Sequence, residues 1–242
     1  MLTTATSPEG LTNAILDRFS IKDCLVIRAM TARPEISYKM TMHAREALAR
    51  SSLKEELQSA MQAYEPNMKA LVFCRARWTA DELAHELNCD SYHKDKPADV
   101  LQQTWKRFTS SATPCVLVCT SSVGVGVDVQ GVRNVWHYGM PWSLIDCVQK
   151  SGRGGRDGGN ATSHVLAWKA EFDSASTNCT EQDLRRLVCQ TAECKRTIIA
   201  EVLDGHPTST GWFAGSTAKA WSTVIYGSRT LSSPRGTRGR FY

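Results

Sequence analysis

The chain has 242 residues, 42% of them apolar and 22% charged, the balance of an ordinary globular protein with room for one large domain or two small ones. No apolar run approaches the ~20 residues that span a bilayer, and the opening MLTTATSPEG lacks a basic segment followed by an apolar one, so no membrane partner and no secretory signal is expected. The formal net charge of +5 is matched by the tail alone, where residues 205–242 hold Lys219, Arg229, Arg235, Arg238 and Arg240 and no Asp or Glu; such an end suits a polyanion or a solvated, disordered extension.

In chain order, residues 41–64 read as a long helix charged on one side. ALVFCR (70–75) is a short apolar run that predicts a buried strand, and TADELAHEL (79–87) follows with Leu83, Ala84 and Leu87 at helical spacing. SYH (91–93) suggests a brief strand. PADVLQQTWKRF (97–108) predicts a helix with Pro97 in its first turn and with Val100, Leu101, Trp105 and Phe108 on one face. CVLVCT (115–120) is the clearest buried strand. After the glycine-containing SSVGVGVD come strand VRNVWHY (132–138), a short helix capped by Ser143, and strand TSHVLAW (162–168). Residues 180–205 predict a further helical region, with Thr180 and Asp183 at capping-box spacing and Gly205 as its stop. Strands alternating with helices over about 66–170 mean an α/β domain with a mainly parallel sheet flanked by helices.

The nine cysteines are odd in number and include no C-x-x-C. Cys115 and Cys119 share one face of a strand, which reads as packing, and reduced thiols are expected throughout.

Two loops carry chemistry. In parallel sheets ligands gather beyond the carboxyl ends of strands, and TSSVGVGVD and QKSGRGGRDGG are both expected to open on one such edge. Gly124 and Gly126 let backbone N–H groups approach an anion, and Asp128 can accept from a ribose hydroxyl or hold a basic group. Arg153 and Arg156 stand three apart among glycines, and guanidinium forks bind phosphate and stabilise charge on a transferring phosphoryl group. Arg75, Arg77 and His93 are candidate phosphate contacts on chemical grounds, with solvated surface as the equal alternative. Trp78, Trp105, Trp136 and Trp168 read as core or half-buried packing.

These segments resemble a known family. CVQKSGRGGRDGG is similar to motif VI of RecQ-type superfamily 2 DNA helicases, with Gln149, Gly152, Arg153, Gly155, Arg156, Asp157 and Gly158 in place. VLVCTSSVGVGVD resembles motif V, ALVFCRAR motif IV, and VRNVWHYGMP the segment between V and VI; the QKSGRGGR wording is particularly similar to fungal telomere-linked RecQ-like helicases. ARPEISYKM (32–40) resembles the strand entering the second lobe, LTTAT (2–6) motif III, and ECKRTIIAEVLDG (193–205) the helix that begins the zinc subdomain. The resemblance implies a RecA-like lobe over 32–172, a remnant of the first lobe over 1–31, the helical start of a zinc subdomain over 173–205, and a basic, disordered tail over 206–242. It implies that Arg156 is the arginine finger, with Arg153 its companion at the γ-phosphate. Gln149, Asp128, Gly126 and Gly124 would couple to the nucleotide, and Thr120 and Ser121 would touch the DNA backbone. ATP with Mg²⁺, single-stranded or partly duplex DNA, a separate first lobe and a nuclear location follow from the same resemblance.

The departures matter as much. The sequence contains no G-x-x-x-x-G-K-[ST] and no Gly-Lys dipeptide, so the phosphate loop is missing. DELAH (81–85) mimics an acidic box, but Leu83 and Ala84 fit a core stripe. Cys194 matches one zinc ligand and no cysteine follows it, whereas a structural site wants four ligands; no zinc or other metal is expected. The chain alone is therefore expected not to hydrolyse ATP. It is expected to be the C-terminal motor lobe of a 3′→5′ DNA helicase, with a non-catalytic binding lobe or a degenerate fragment as the alternatives.

Overall fold

The computed structural model describes residues 8–22, 25–28, 31, 33–120, 129–174, 179–189, 193–205, 223–226 and 229–230. In chain order these form α1 (Glu9–Arg18), β1 (Leu25–Arg28), β2 (Ile36–His43), α2 (Glu46–Ala63), β3 (Lys69–Cys74), α3 (Arg77–Glu86), β4 (Asp90–Tyr92), α4 (Ala98–Ser110), β5 (Cys115–Cys119), β6 (Val132–Tyr138), α5 (Leu144–Ser151), β7 (Ala161–Trp168), α6 (Lys169–Ser174), α7 (Cys179–Cys189), α8 (Lys195–Asp204), β8 (Thr223–Tyr226) and β9 (Arg229–Thr230).

The chain divides into two compact units, 33–199 and 1–32 with 200–242. The larger holds a six-stranded sheet in the order β2-β7-β6-β3-β5-β4, every neighbouring pair parallel. Parallel strands need crossovers, and helices supply them on both faces. All six residues of central β3 are buried, and alternation sorts them. Ala70, Val72 and Cys74 pack with Ala49, Leu53 and Leu57 of α2 and Ala80, Leu83 and Ala84 of α3. Leu71 and Phe73 pack on the other face with Phe108 of α4, Cys119 and Val135. Cys115 and Cys119 do share that second face. DELAH is confirmed as an amphipathic segment, because Leu83 and Ala84 are buried while Glu82 pairs with Arg50.

One polar network crosses the first face. Glu56 of α2 accepts from His164 Nδ1 at 2.7 Å and from the Trp136 indole at 3.2 Å, and Lys39 pairs with it at 3.2 Å. His164 Nε2 lies 2.7 Å from the Thr41 hydroxyl. Burial pushes the His164 imidazole below its ordinary value despite the Glu56 carboxylate beside it.

Several expectations need correction. The helix over 41–64 begins only at Glu46, because residues 41–43 complete β2, where Thr41 and Met42 pair with Leu166 and Ala167 of β7. The region 180–205 is two helices, α7 and α8, and α7 starts before Thr180, which is therefore not its cap. Val100 is exposed, and Thr104 instead joins Phe108 on the buried side of α4. Gly205 does end α8, with φ +75°. In the smaller unit β1, β8 and β9 form an antiparallel sheet; TVIY, within the tail expected to be disordered, is a β-branched and aromatic strand sequence. The remainder of the tail and motif III (2–6) lie outside the described residues. No helix among the described residues is long and apolar enough to cross a membrane.

Candidate functional site

The site is built around the turn between α5 and β7. Ser143 caps α5 by accepting the Asp146 N–H at 3.0 Å. The helix then runs back along the sheet, so the turn 152–160 lies at the amino ends of β2, β6 and β7. Gly155 N–H donates to the carbonyl of Val132, the first residue of β6, at 3.0 Å, and Ala161 N–H donates to Glu35 at 2.9 Å.

Long-range partners fix this turn from three sides. The Arg33 guanidinium donates to the carbonyls of Gly152 at 3.4 Å and Gly154 at 3.1 Å, and pairs with Glu35. Asp157 accepts a two-pronged pair from Arg133 at 2.7 and 2.8 Å, and the N–H groups of Gly131 and Gly159 at 3.2 and 3.1 Å. Arg133 beside it holds the Asp157 carboxyl far below the usual carboxylate range. Backbone geometry makes two glycines necessary. Gly155 has φ +65°, and a Cβ there would stand 2.7 Å from the Gly159 carbonyl; at Gly154 it would meet the Ala161 Cβ at 2.8 Å.

Below the turn lies a buried polar node. The Ser151 hydroxyl donates to the Cys147 carbonyl at 2.6 Å and lies 2.7 Å from the Ser163 hydroxyl and 3.2 Å from His137 Nε2. Full burial pushes His137 down to about 3, with the charge of Lys150 adding to the shift. Lys150, 7% exposed, pairs with Asp146 at 2.7 Å and stands over the Phe73 ring.

The two arginines of the turn differ. Arg153 is half-buried, and burial followed by repulsion from Arg156 lowers its proton affinity. Arg156 is exposed, and its Nε donates to the Gly152 carbonyl at 3.1 Å. A pair of guanidinium groups on a rigid glycine turn can bind phosphate oxygens and offset charge that develops there. Gln149 is exposed on α5.

Thr120 is elsewhere. It follows Cys119 at the carboxyl end of β5, is buried, and donates its N–H to Tyr92 at 3.2 Å. The five residues of β5, at about 3.3 Å each, separate the two sheet ends by ~16 Å. The expectation that both loops open on one edge therefore fails for Thr120: the connection after β5 leaves one end of the sheet and β6 begins at the other. The charges of Lys150 and Arg153 both act on the Cys119 thiol at the end of β5, though burial dominates and raises it. Ser121, Gly124, Gly126 and Asp128 lie outside the described residues.

The other candidates also have partners. Arg75 follows β3, pairs with Glu171 at 3.6 Å and stacks on Trp142 at 3.8 Å from the ring centre. Arg77 pairs with Asp95. His93 is 4% exposed, and its Nε2 lies 3.0 Å from Asp81. Trp136 is core and Trp105 and Trp168 are half-buried, but Trp78 is 67% exposed and not packed as expected; its place on the first turn of α3, beyond the end of β3, turns it outward. Sequence reasoning named Asp157 only as a motif match and did not single out Arg33 and Arg133, which hold the turn, or Trp142, which stacks on Arg75. The only local signal was Asp157 among glycines, a short acceptor surrounded by unhindered N–H groups.

These residues fit the phosphate end of a nucleotide as donors of positive charge. Among the described residues no three His, Cys, Asp or Glu converge as metal ligands, and Asp157 is occupied by Arg133.

Residues 50–158 match the family described as helicase conserved C-terminal domain. ATP-dependent DNA helicase Q-like 2 of Arabidopsis thaliana is 26% identical over 160 residues, which cover 64% of this chain and 22% of that protein. ATP-dependent DNA helicase RecQ of Synechocystis is 28% identical over 159 residues, 64% of this chain and 32% of that protein. The chain thus spans a third or less of either relative. In fold, it resembles Mss116p DEAD-box helicase domain 2 bound to an RNA duplex, with TM-score 0.52 and 20% identity over 64% of this chain and 58% of that one. With the parallel sheet, these matches support a helicase conserved C-terminal domain over residues 50–158, in a chain that is similar to RecQ-type DNA helicases.

Proposed function

We propose that this chain supplies the C-terminal motor lobe of an ATP-dependent RecQ-like 3′→5′ DNA helicase. In this reading Arg156 and Arg153 project from the turn toward the phosphates of a nucleotide that is held outside these 242 residues. The observation that carries it is the turn's rigidity: Arg33, Arg133 with Asp157, and the β6 backbone all fix its main chain. Preorganised positive charge is what lowers a phosphoryl-transfer barrier, and an arginine finger is worth ~10³–10⁵ in rate in comparable systems. ATP supplies the phosphoryl group when bound; the residues here orient and neutralise it, with Gln149, on the helix that leads into the turn, as a second contact.

Nucleic acid is proposed to lie at the other end of the sheet, where Thr120, Arg75, Arg77 and His93 gather at the ends of β5, β3 and β4. DNA as substrate is supported by the RecQ-type relatives, which are named DNA helicases, and a nuclear site of action is proposed with it. The second reading, a lobe that grips nucleic acid or a partner without catalysis, is favoured by the missing Gly-Lys.

A fusion of the first lobe of Synechocystis RecQ to this chain separates the two readings. DNA-stimulated ATP hydrolysis is expected in the fusion and in neither part alone. A fusion that binds ATP and DNA but hydrolyses no faster than the first lobe alone supports the second reading.

A further inference from the structure

We propose that Trp142, backed by the Arg75 guanidinium, is a stacking platform for a base of single-stranded nucleic acid. This rests on the reading that the carboxyl edge of the sheet faces nucleic acid, and adds how that edge would hold a strand.

Arg75 and Trp142 reach the edge from adjacent strands, since Cys74 at the end of β3 pairs with Tyr138 at the end of β6. The guanidinium carbon stands 3.8 Å from the Trp142 ring centre, in stacking contact. Trp142 is nevertheless 53% exposed, so with one ring face against Arg75 the open surface is the remaining face and rim. Its main chain is held because the backbone N–H donates to the Asp146 carboxylate at 3.2 Å and Asp146 is paired with buried Lys150 at 2.7 Å, while the ring rests on Arg75, itself paired with Glu171 at 3.6 Å. A ring fixed before binding loses little freedom when a ligand stacks on it.

The ligand class follows from what surrounds the ring. Trp78, the second exposed tryptophan, sits on the first turn of α3 next to Arg77, just past the end of β3. Thr120, Lys94 and Lys96 continue the row past the ends of β5 and β4. From β6 to β4 the row covers three strand spacings of ~4.8 Å, about 14 Å, the length of about four stacked nucleotides. Charge alone does not make this a polyanion site, because Glu171, Asp95 and Asp81 offset Arg75, Arg77 and Lys96. Affinity must then come largely from ring faces, and every base has a π-face to offer.

The test uses the full chain and two labelled 15-mers of equal charge, one of thymidines and one abasic, read by fluorescence anisotropy. Trp142→Ala is expected to weaken binding of the thymidine strand about 5- to 150-fold and to leave the abasic strand unchanged. Trp142→Phe should keep most of the affinity, and neither variant should alter the salt dependence, since no phosphate contact is lost. Wild-type affinity of Trp142→Ala for the thymidine strand overturns the platform, as does an equal loss on both strands, which marks a structural role. If the wild-type chain binds neither strand, the nucleic-acid reading falls too; salt-dependent binding indifferent to Trp142 overturns the platform alone.

Discussion

Replacing Asp157 with alanine should unfasten the arginine turn. The change removes the two-pronged pair with Arg133 and the acceptor for two backbone N–H groups. Both side chains are about a quarter exposed, at 23% and 24%, so solvent screens part of the attraction. A surface pair alone is worth ~0–1 kcal/mol, but two-pronged geometry and the stranded Gly131 and Gly159 N–H groups raise the total to about 2–3 kcal/mol. For a chain of this size each kcal/mol moves Tm by ~2–4 °C, so thermal melting followed by circular dichroism should show a drop of roughly 5–10 °C. A double-mutant cycle with Arg133→Ala should return a coupling of about 1–2 kcal/mol. The pH dependence has a definite sign. The folded carboxyl titrates far below its unfolded value of about 3.9, so its contribution is complete above that pH and disappears only as pH falls further. An Asp157→Ala variant that melts with the wild type, or a vanishing coupling, would refute the idea that this pair fixes the turn.

Three further outcomes follow from the same geometry. Gly155→Ala imposes a Cβ at φ +65° and 2.7 Å from a carbonyl, and should cost about 1–3 kcal/mol, seen as a lower urea midpoint. Glu56→Ala strands His164 and the Trp136 indole and should cost about 2–4 kcal/mol; the melting curve measures it. His137, neutral when buried and titrating at about 3, binds fewer protons folded than unfolded, so stability should fall as pH drops from about 6.5 toward 3. A pH series of melting points on His137→Gln should show a shallower fall, with the part due to His164 left in place.

The sheet was legible because a fully buried parallel strand is a continuous apolar run, as in β3 and β5. Helix limits were less so: Thr41 and Met42 carry no local mark that assigns them to β2, which forms only because β7 lies alongside. In the site, the arginines and glycines were visible as a motif, but their supports were not. Arg33 reaches Gly154 across 121 positions, and Arg133 reaches Asp157 across 24, distances that no local pattern encodes. Trp78 misled because burial of an aromatic depends on where its helix begins, and α3 begins beyond the sheet edge. The two loops were placed on one edge because the rule about strand ends says nothing of a helix that runs back along the sheet.

In the proposed function the arginine turn acts on a nucleotide held elsewhere. Its most direct test is the steady-state ATPase rate of the RecQ first-lobe fusion with and without Arg156→Ala. The exposed side chain predicts an unchanged melting point and unchanged DNA affinity, with a DNA-stimulated rate lower by ~10³ or more. A variant that hydrolyses ATP at the rate of the parent fusion would contradict the account.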